Sequence, residues 1–132
     1  MEILMSKILI VEDDKFLRTV LAKRLKEEGF EIEEAVDGED ALQKIILSKP
    51  DLILLDIILP KKSGFTLLNE IKQDPNLSSI PIVVISQLSQ PEDIAKGKEF
   101  GVKEYVVKAN TSIEEIIGIV KQFLDKVIHS LT

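Results

Sequence analysis

The chain has 132 residues and a formal net charge of −6, with 45% hydrophobic residues and no cysteine. This length predicts one domain, residues 1–132, with a core at about residues 7–127 and no need for disulfides or a structural metal. The negative charge opposes binding to DNA phosphates, so we expect no direct DNA binding. No apolar stretch reaches the roughly 20 residues of a membrane span, so we expect a cytoplasmic protein without membrane insertion.

Five short segments are predicted to be strands. Four of them are continuous apolar runs, at residues 8–11, 52–55, 82–85 and 106–107. Such runs are typical of parallel strands that are covered on both faces. Between the first two runs, Phe30, Ile32 and Ala35 are separated by acidic residues. This alternation predicts a half-exposed strand at an edge of the sheet.

Two helices are predicted around the second strand. The first has one apolar stripe, made of Phe16, Leu17, Val20, Leu21 and Leu25. Gly29 suits the position after its end, where helices commonly turn left-handed. Asp37 and Asp40 resemble a variant capping box before the second helix. The apolar positions of that helix are Ala41, Leu42, Ile45 and Ile46.

Three further helices follow. Ser63 can cap the third helix. Pro91 suits the first position of a short fourth helix that ends near Gly101. Thr111 with Glu114 is typical of a capping box at the start of the last helix. Its apolar residues recur at helical spacing: Ile113, Ile116, Ile117, Val120, Phe123, Leu124 and Val127.

The order of elements is therefore strand–helix, repeated five times. This alternation predicts right-handed crossovers and a doubly wound α/β sandwich with a parallel five-stranded sheet. Periodicity does not fix the strand order. The exposed second strand fits the flavodoxin-like order 2-1-3-4-5, in which that strand lies at an edge.

Polar residues follow four of the strands, at the edge where open parallel sheets bind ligands. They are Glu12, Asp13 and Asp14 after the first strand, then Asp56, Ser86 and Lys108. Carboxylate oxygens without sulfur or imidazole favour Mg²⁺, for which Mn²⁺ is a possible substitute. A carboxylate such as Asp56, at the end of a central strand, is suited to attack phosphorus and form an acyl phosphate. Lys108 and Ser86 are suited to contact the phosphoryl oxygens.

Each of these residues alone also fits an ordinary role. The three acids fit a solvated turn at a helix N-terminus. Lys108 fits a surface lysine, Ser86 a loop residue, and Tyr105 an edge-strand aromatic with a solvated hydroxyl. Asp56 fits such a role less well, because apolar residues flank it and burial of an unpaired carboxylate is costly. The functional interpretation depends on all of them lying in order along one edge.

Four segments in the correct order carry a family resemblance. They are residues 7–14 (KILIVEDD), 35–42 (AVDGEDAL), 50–56 (PDLILLD) with Pro60 and Gly64 after them, and 105–108 (YVVK). From about residue 7 to residue 124, the chain resembles the receiver domain of two-component response regulators. The ordered set is specific, whereas one such motif alone is weak.

The resemblance implies a role for each matching residue. Asp56 would accept a phosphoryl group from a histidine kinase or a histidine phosphotransfer protein. Glu12 and Asp13 would hold Mg²⁺ directly or through water, together with Asp56 and the backbone carbonyl of Ile58. The protein would then be no enzyme beyond its own phosphorylation and slow autodephosphorylation.

The resemblance also implies a switch. Lys108 would pair with Asp56 or its phosphate, Ser86 would be the switch hydroxyl, and Tyr105 the switch aromatic. The face of the fourth helix, fifth strand and fifth helix would then change its affinity for a downstream protein. No effector domain follows in the sequence, so we expect a stand-alone regulator similar to those of chemotaxis and phosphorelays, as a monomer or a weak phosphorylation-dependent dimer.

Two departures from the family pattern support an alternative. Ala109 follows Lys108 where proline is usual, and Gln87 follows Ser86 where a small residue is usual. The alternative is a receiver-like interaction module that is never phosphorylated. A dehalogenase-like phosphohydrolase would need a second acid at Ile58, and a nucleotide carrier would need glycine rather than acids after the first strand. Both are disfavoured.

Two apolar residues predict a long-lived acyl phosphate. Ile58 and Leu88 lie two residues after Asp56 and Ser86. In the family these positions flank the path of the attacking water. We expect large apolar side chains there to slow hydrolysis by excluding water.

Overall fold

The computed structural model describes residues 5–130, and the side chains of residues 5–124. Strands and helices alternate throughout, as predicted. The elements are β1 (Lys7–Val11), α1 (Lys15–Glu27), β2 (Glu31–Ala35), α2 (Gly38–Ser48), β3 (Leu52–Leu55), α3 (Gly64–Gln73), β4 (Ile82–Ser86), α4 (Pro91–Glu99), β5 (Glu104–Val107), a 3₁₀ turn (Lys108–Asn110) and α5 (Ile113–Ser130). Within this part of the chain, no helix is long and apolar enough to cross a membrane.

The five strands form one parallel sheet in the order 2-1-3-4-5. This is the predicted flavodoxin-like order, with the glutamate-rich β2 at an edge. Successive side chains of a strand point to opposite faces, so each strand contributes to two cores. Ile8 and Ile10 pack with α1 and α5 on one face, whereas Leu9 and Val11 pack with α2 and α3 on the other.

The sheet brings the ends of β1 and β3 to the same level. Val11 and Leu55 are register partners at these two ends. The backbone ladder then continues for one more residue on each strand, because Glu12 N–H donates to Ala35 and Asp56 N–H donates to Val11, at 3.1 and 3.0 Å. Glu12 and Asp56 are therefore side by side and buried by the fold itself.

Two predicted core residues are exposed instead. Phe16 is 79% exposed and Ile46 is 51% exposed. Phe16 lies in the first turn of α1, whereas the buried residues of this helix, Leu21, Ala22 and Leu25, lie in its later turns. Ile46 directly follows the buried Ile45 in α2, and adjacent helical positions differ by about 100° in direction. Helical spacing alone overestimated the width of both apolar faces.

The capping box of α5 lies one residue later than predicted. Ser112 Oγ accepts from Glu115 N–H at 3.1 Å, and the two side chains also contact each other at 3.3 Å. Thr111 is occupied elsewhere, because its hydroxyl donates to the carbonyl of Val107 at 3.0 Å. Glu114 instead pairs with Arg24 of α1 through two bonds of 2.9 and 2.8 Å. The predicted core position Val127 lies outside the described side chains.

Candidate functional site

Three predicted metal ligands meet at the carboxyl edge of the sheet. Glu12, Asp13 and Asp56 each offer one carboxylate oxygen, and these oxygens lie within 4.8 Å of one another. Glu12 and Asp56 are buried, whereas Asp13 is exposed. Together they line a cavity of about 200 Å³ whose remaining walls are Asp14, Ile58, Gln87 and Lys108.

Lys108 bridges the two buried carboxylates. Its Nζ lies 2.8 Å from Glu12 Oε1 and 2.9 Å from Asp56 Oδ2. Burial alone would lower the pKa of Lys108, but the hydrogen bonds and the charges of both acids outweigh it, and the net pKa is raised. The ammonium group therefore stays charged and holds one oxygen of Asp56. The other oxygen, Oδ1, accepts from the backbone N–H of Ile58 at 3.2 Å.

Glu12 is the acid of this group whose pKa is shifted upward. Burial raises the pKa of Glu12 to about 7, and the charge of Asp56 adds to this effect. The bonds to Lys108 and to the backbone N–H of Asp14 oppose the rise but do not cancel it. A cation in the cavity would favour the ionised form, because it neutralises the charge that burial penalises.

The donor set fits a hard divalent cation. Mg²⁺ binds oxygen at about 2.1 Å, so opposite ligands of one ion lie about 4.2 Å apart. Oxygens of Glu12, Asp13 and Asp56 within 4.8 Å need only a small side-chain rotation, or a bridging water, to reach that spacing. Asp14 is not one of these three acids. Its Oδ1 caps α1 by accepting from the N–H groups of Phe16 and Leu17 at 2.9 and 3.2 Å.

The two predicted switch residues are both hydrogen-bonded to the backbone of Leu88. Ser86 Oγ accepts from the N–H of Leu88 at 3.1 Å, and the hydroxyl of Tyr105 donates to the carbonyl of Leu88 at 2.9 Å. Burial raises the pKa of Tyr105, so its hydroxyl remains a donor. The side chains of Ser86 and Tyr105 are thus connected through the backbone of the loop between β4 and α4.

The two departures from the family pattern are visible at the site. Gln87 is exposed and forms part of the cavity wall. The peptide bond between Lys108 and Ala109 is trans, and Lys108–Asn110 form the 3₁₀ turn. Leu88 is only half-buried and packs on the core cluster of α2 and α3. Of the two residues expected to exclude water, Ile58 lines the cavity and Leu88 does not, whereas Gln87 does.

Gly64 supports the site in a way that spacing alone does not reveal. A Cβ at this position would lie 2.5 Å from Ile57 Cα and 2.7 Å from the carbonyl oxygen of Asp56. The N–H of Gly64 donates to the carbonyl of Ile57 at 2.8 Å. The start of α3 therefore packs directly on the backbone that carries Asp56, and only glycine permits this approach.

Comparison with known proteins agrees with this geometry. The pattern of the response regulator receiver domain matches residues 8–121. The chain belongs to this family. A receiver domain is the phosphoryl-accepting switch of a two-component system, and it binds a divalent metal in an acidic pocket. The predicted family and fold are both confirmed.

Several curated relatives are longer than this chain. A probable transcriptional regulator of Cyanophora paradoxa is 39% identical over 82% of this receiver domain, which spans 44% of that protein. The DNA-binding regulator RpaA of Synechocystis is 32% identical over 91% of the chain, which spans 49% of RpaA. A gliding motility regulatory protein of Myxococcus xanthus is 36% identical over 82% of the chain, which spans only 14% of it. The chain thus covers half or less of these relatives.

Solved receiver structures superpose closely. The phosphorylated cyanobacterial phytochrome response regulator RcpA is 34% identical, with a TM-score of 0.79 over 90% of this chain and 91% of that one. The Mn²⁺-bound form of the response regulator Rcp1 is 32% identical, with a TM-score of 0.82 over 90% and 94%. The chemotaxis regulator CheY4 of Vibrio cholerae is 27% identical, with a TM-score of 0.84 over 92% and 100%.

Proposed function

We propose that Asp56 takes a phosphoryl group from a phosphohistidine donor, with Mg²⁺ held by Glu12, Asp13, Asp56 and the backbone carbonyl of Ile58. The observation that carries this proposal is the contact of Lys108 with both Glu12 and Asp56 beside the cavity. This contact holds a buried nucleophile and a fixed positive charge at one end of the sheet. Bound Mg²⁺ would neutralise phosphoryl oxygens that a cluster of acids would otherwise repel.

The residues of the chain supply position and charge for the transfer. An oxygen of Asp56 attacks phosphorus, and the P–N bond to the donor imidazole breaks. The imidazole leaves with the electron pair of that bond and takes a proton from water, while an acyl phosphate forms on Asp56. Lys108 stabilises the negative charge of the phosphoryl oxygens. The backbone N–H of Ile58, 3.2 Å from Asp56 Oδ1, orients the carboxylate.

Phosphorylation would then act on the loop between β4 and α4. A phosphoryl oxygen on Asp56 competes for the hydroxyl of Ser86, which in its absence accepts from Leu88 N–H. Release of that N–H shifts the loop whose carbonyl accepts from Tyr105. The population of packings of the α4–β5–α5 face changes, and with it the affinity for a partner protein.

The partners follow from this chemistry. A histidine kinase or a histidine phosphotransfer protein supplies the phosphoryl group, and a downstream protein reads the altered face. We expect action in the cytoplasm, as a monomer or a weak phosphorylation-dependent dimer, with no turnover of other substrates. The net charge of −6 argues against direct DNA binding by this domain.

The test is the intact mass of the wild-type protein after incubation with acetyl phosphate. We expect a gain of one phosphoryl group with Mg²⁺ and none with a chelator, because the acidic cavity repels an uncompensated anion. Failure with acetyl phosphate and with a histidine kinase would overturn the proposal. The unphosphorylated interaction module would then be favoured, with Gln87 on the cavity wall and Ala109 in place of the usual proline as the physical reasons.

Ile58 sets the lifetime of the acyl phosphate. We expect Ile58→Asn to accelerate dephosphorylation by about tenfold, because a polar side chain on the cavity wall can hold the attacking water. The addition of Leu88→Glu should change this rate little, since Leu88 does not line the cavity. The measurement is the rate at which phosphorylated protein loses phosphate. Ile46→Asn is a matched control, since Ile46 and Ile58 are both 51% exposed and Ile46 lies in α2, away from the cavity. Equal rates in wild type and the Ile58→Asn, Leu88→Glu variant would refute this role.

A further inference from the structure

Gly97 in the middle of α4 faces the ring of Tyr105. A Cβ at position 97 would lie 2.8 Å from Tyr105 Cδ2 and 3.1 Å from Cε2. Both distances are shorter than carbon atoms tolerate without displacement. The ring therefore occupies the space that every side chain larger than glycine would fill.

Gly97 lowers the stability of α4, so its presence inside this helix requires an explanation. A glycine inside a helix is about 1 kcal/mol less favourable than alanine. It is buried, and its φ is not in the left-handed region that glycine alone adopts readily. The conformation of α4 therefore does not require glycine here, whereas the ring of Tyr105 does.

The ring is fixed at two points. Its edge packs on the bare backbone of Gly97, and its hydroxyl donates to the carbonyl of Leu88 at 2.9 Å. The first contact is with α4 and the second with the loop that precedes α4. The first contact lies on the face that would change on phosphorylation and the second on the loop that leads into it, so the position of the ring reports and stabilises one arrangement of both.

We propose that Gly97 is the positioning residue that lets Tyr105 lie inward, and that any side chain at position 97 drives the ring outward and uncouples it from the loop. This inference rests on the proposed switch function, because it concerns the aromatic that the switch uses. The atoms that a new Cβ would meet belong to a side chain that can rotate, so the ring gives way before the backbone does. The outward ring loses its bond to Leu88.

The single tyrosine is a natural fluorescence probe, and Gly118 is a natural control position. Tyr105 is the only tyrosine and there is no tryptophan, so the intrinsic fluorescence reports this one ring. Gly118, in α5, has nothing within 4 Å of a built Cβ. Gly97→Ala and Gly118→Ala therefore make the same chemical change in two helices, and only the first meets Tyr105.

The experiment is acrylamide quenching of tyrosine fluorescence. We expect the quenching constant to rise about twofold in Gly97→Ala and to stay at the wild-type value in Gly118→Ala, because only the first moves the ring into solvent. Phosphorylation of the wild type should change the fluorescence, and in Gly97→Ala that change should fall to less than about half. Equal quenching and an equal phosphorylation response in wild type and Gly97→Ala would overturn the proposal.

A second variant keeps the test decisive if Gly97→Ala unfolds. In a Tyr105→Ala background the clash is gone, so Gly97→Ala should raise the urea midpoint, as Gly118→Ala does in the wild type. A fall in the midpoint in that background would overturn the proposal. Intact mass separates the two hypotheses: without phosphoryl uptake by the wild type the switch function fails, while the quenching and urea results still decide the role of Gly97.

Discussion

Asparagine in place of Asp56 should abolish phosphoryl uptake. The amide is a poor nucleophile, and it removes one of the three carboxylates that would hold the metal. Asp56 is buried, and its two oxygens are bonded to Lys108 and to Ile58 N–H, so these two donors hold this carboxylate at the end of β3. The measurement is intact mass after acetyl phosphate and Mg²⁺, in which the variant should gain no phosphoryl group.

Asp51→Asn is the matched control for that experiment. Asp51 stands immediately before β3 and Asp56 immediately after it, at opposite ends of the same strand. Asp51 accepts from Lys7 N–H at 2.7 Å, a bond that asparagine can also accept. The control should therefore be phosphorylated like the wild type. Phosphoryl uptake by Asp56→Asn at the wild-type rate would assign the acceptor to another residue.

Methionine in place of Lys108 should impair both stability and chemistry. The change leaves Glu12 and Asp56 buried without their shared cation. We expect the free energy of unfolding in chelator to fall by about 2 kcal/mol, less than for a fully buried pair because Lys108 is partly exposed. We expect Mg²⁺ to restore part of that loss, and phosphoryl uptake to slow by about 100-fold, as when one transition-state donor is removed. Urea unfolding and timed mass spectra measure the two effects.

Lys62→Met is the control for the loss of a paired lysine. The side chains of Lys62 and Lys108 are 19% and 17% exposed, and Lys62 lies 2.7 Å from Glu70. Glu70 is much more exposed than Asp56, so the unpaired acid that remains can be solvated. We expect a loss below about 1 kcal/mol and wild-type phosphorylation. If Lys108→Met lost no more free energy of unfolding than Lys62→Met and were phosphorylated as fast, Lys108 would have no special role at the site.

The fold was predictable because buried parallel strands are continuous apolar runs in the sequence, and four of the five strands here are such runs. The runs ending at Val11 and Leu55 lie next to each other in the sheet, which is why the acids after them meet. The topology places Ser86 and Lys108 at the same edge. Residue types and order therefore sufficed to predict which side chains lie together at this edge.

What the sequence did not reveal depends on side-chain competition and on close packing. Thr111 and Ser112 are equally good caps by type, and the choice between them is made by the bond of Thr111 to Val107. In the sequence, Gly64 resembles an ordinary loop residue and Gly97 an unfavourable helix position. Only the structure shows that a side chain at either position would collide with a neighbouring residue. Phe16 lies on the predicted stripe yet is exposed, because only the later turns of α1 contribute buried residues.

Ile58 and Leu88 both contribute backbone groups to the site, whereas only Ile58 also has its side chain on the cavity wall. Ile58 supplies an N–H to Asp56, and Leu88 supplies both the N–H that Ser86 holds and the carbonyl that Tyr105 holds. Every residue except proline offers these same groups. Substitutions of the Ile58 side chain, other than to proline, can therefore tune the proposed lifetime of the acyl phosphate while the backbone hydrogen bonds to Asp56, Ser86 and Tyr105 stay in place.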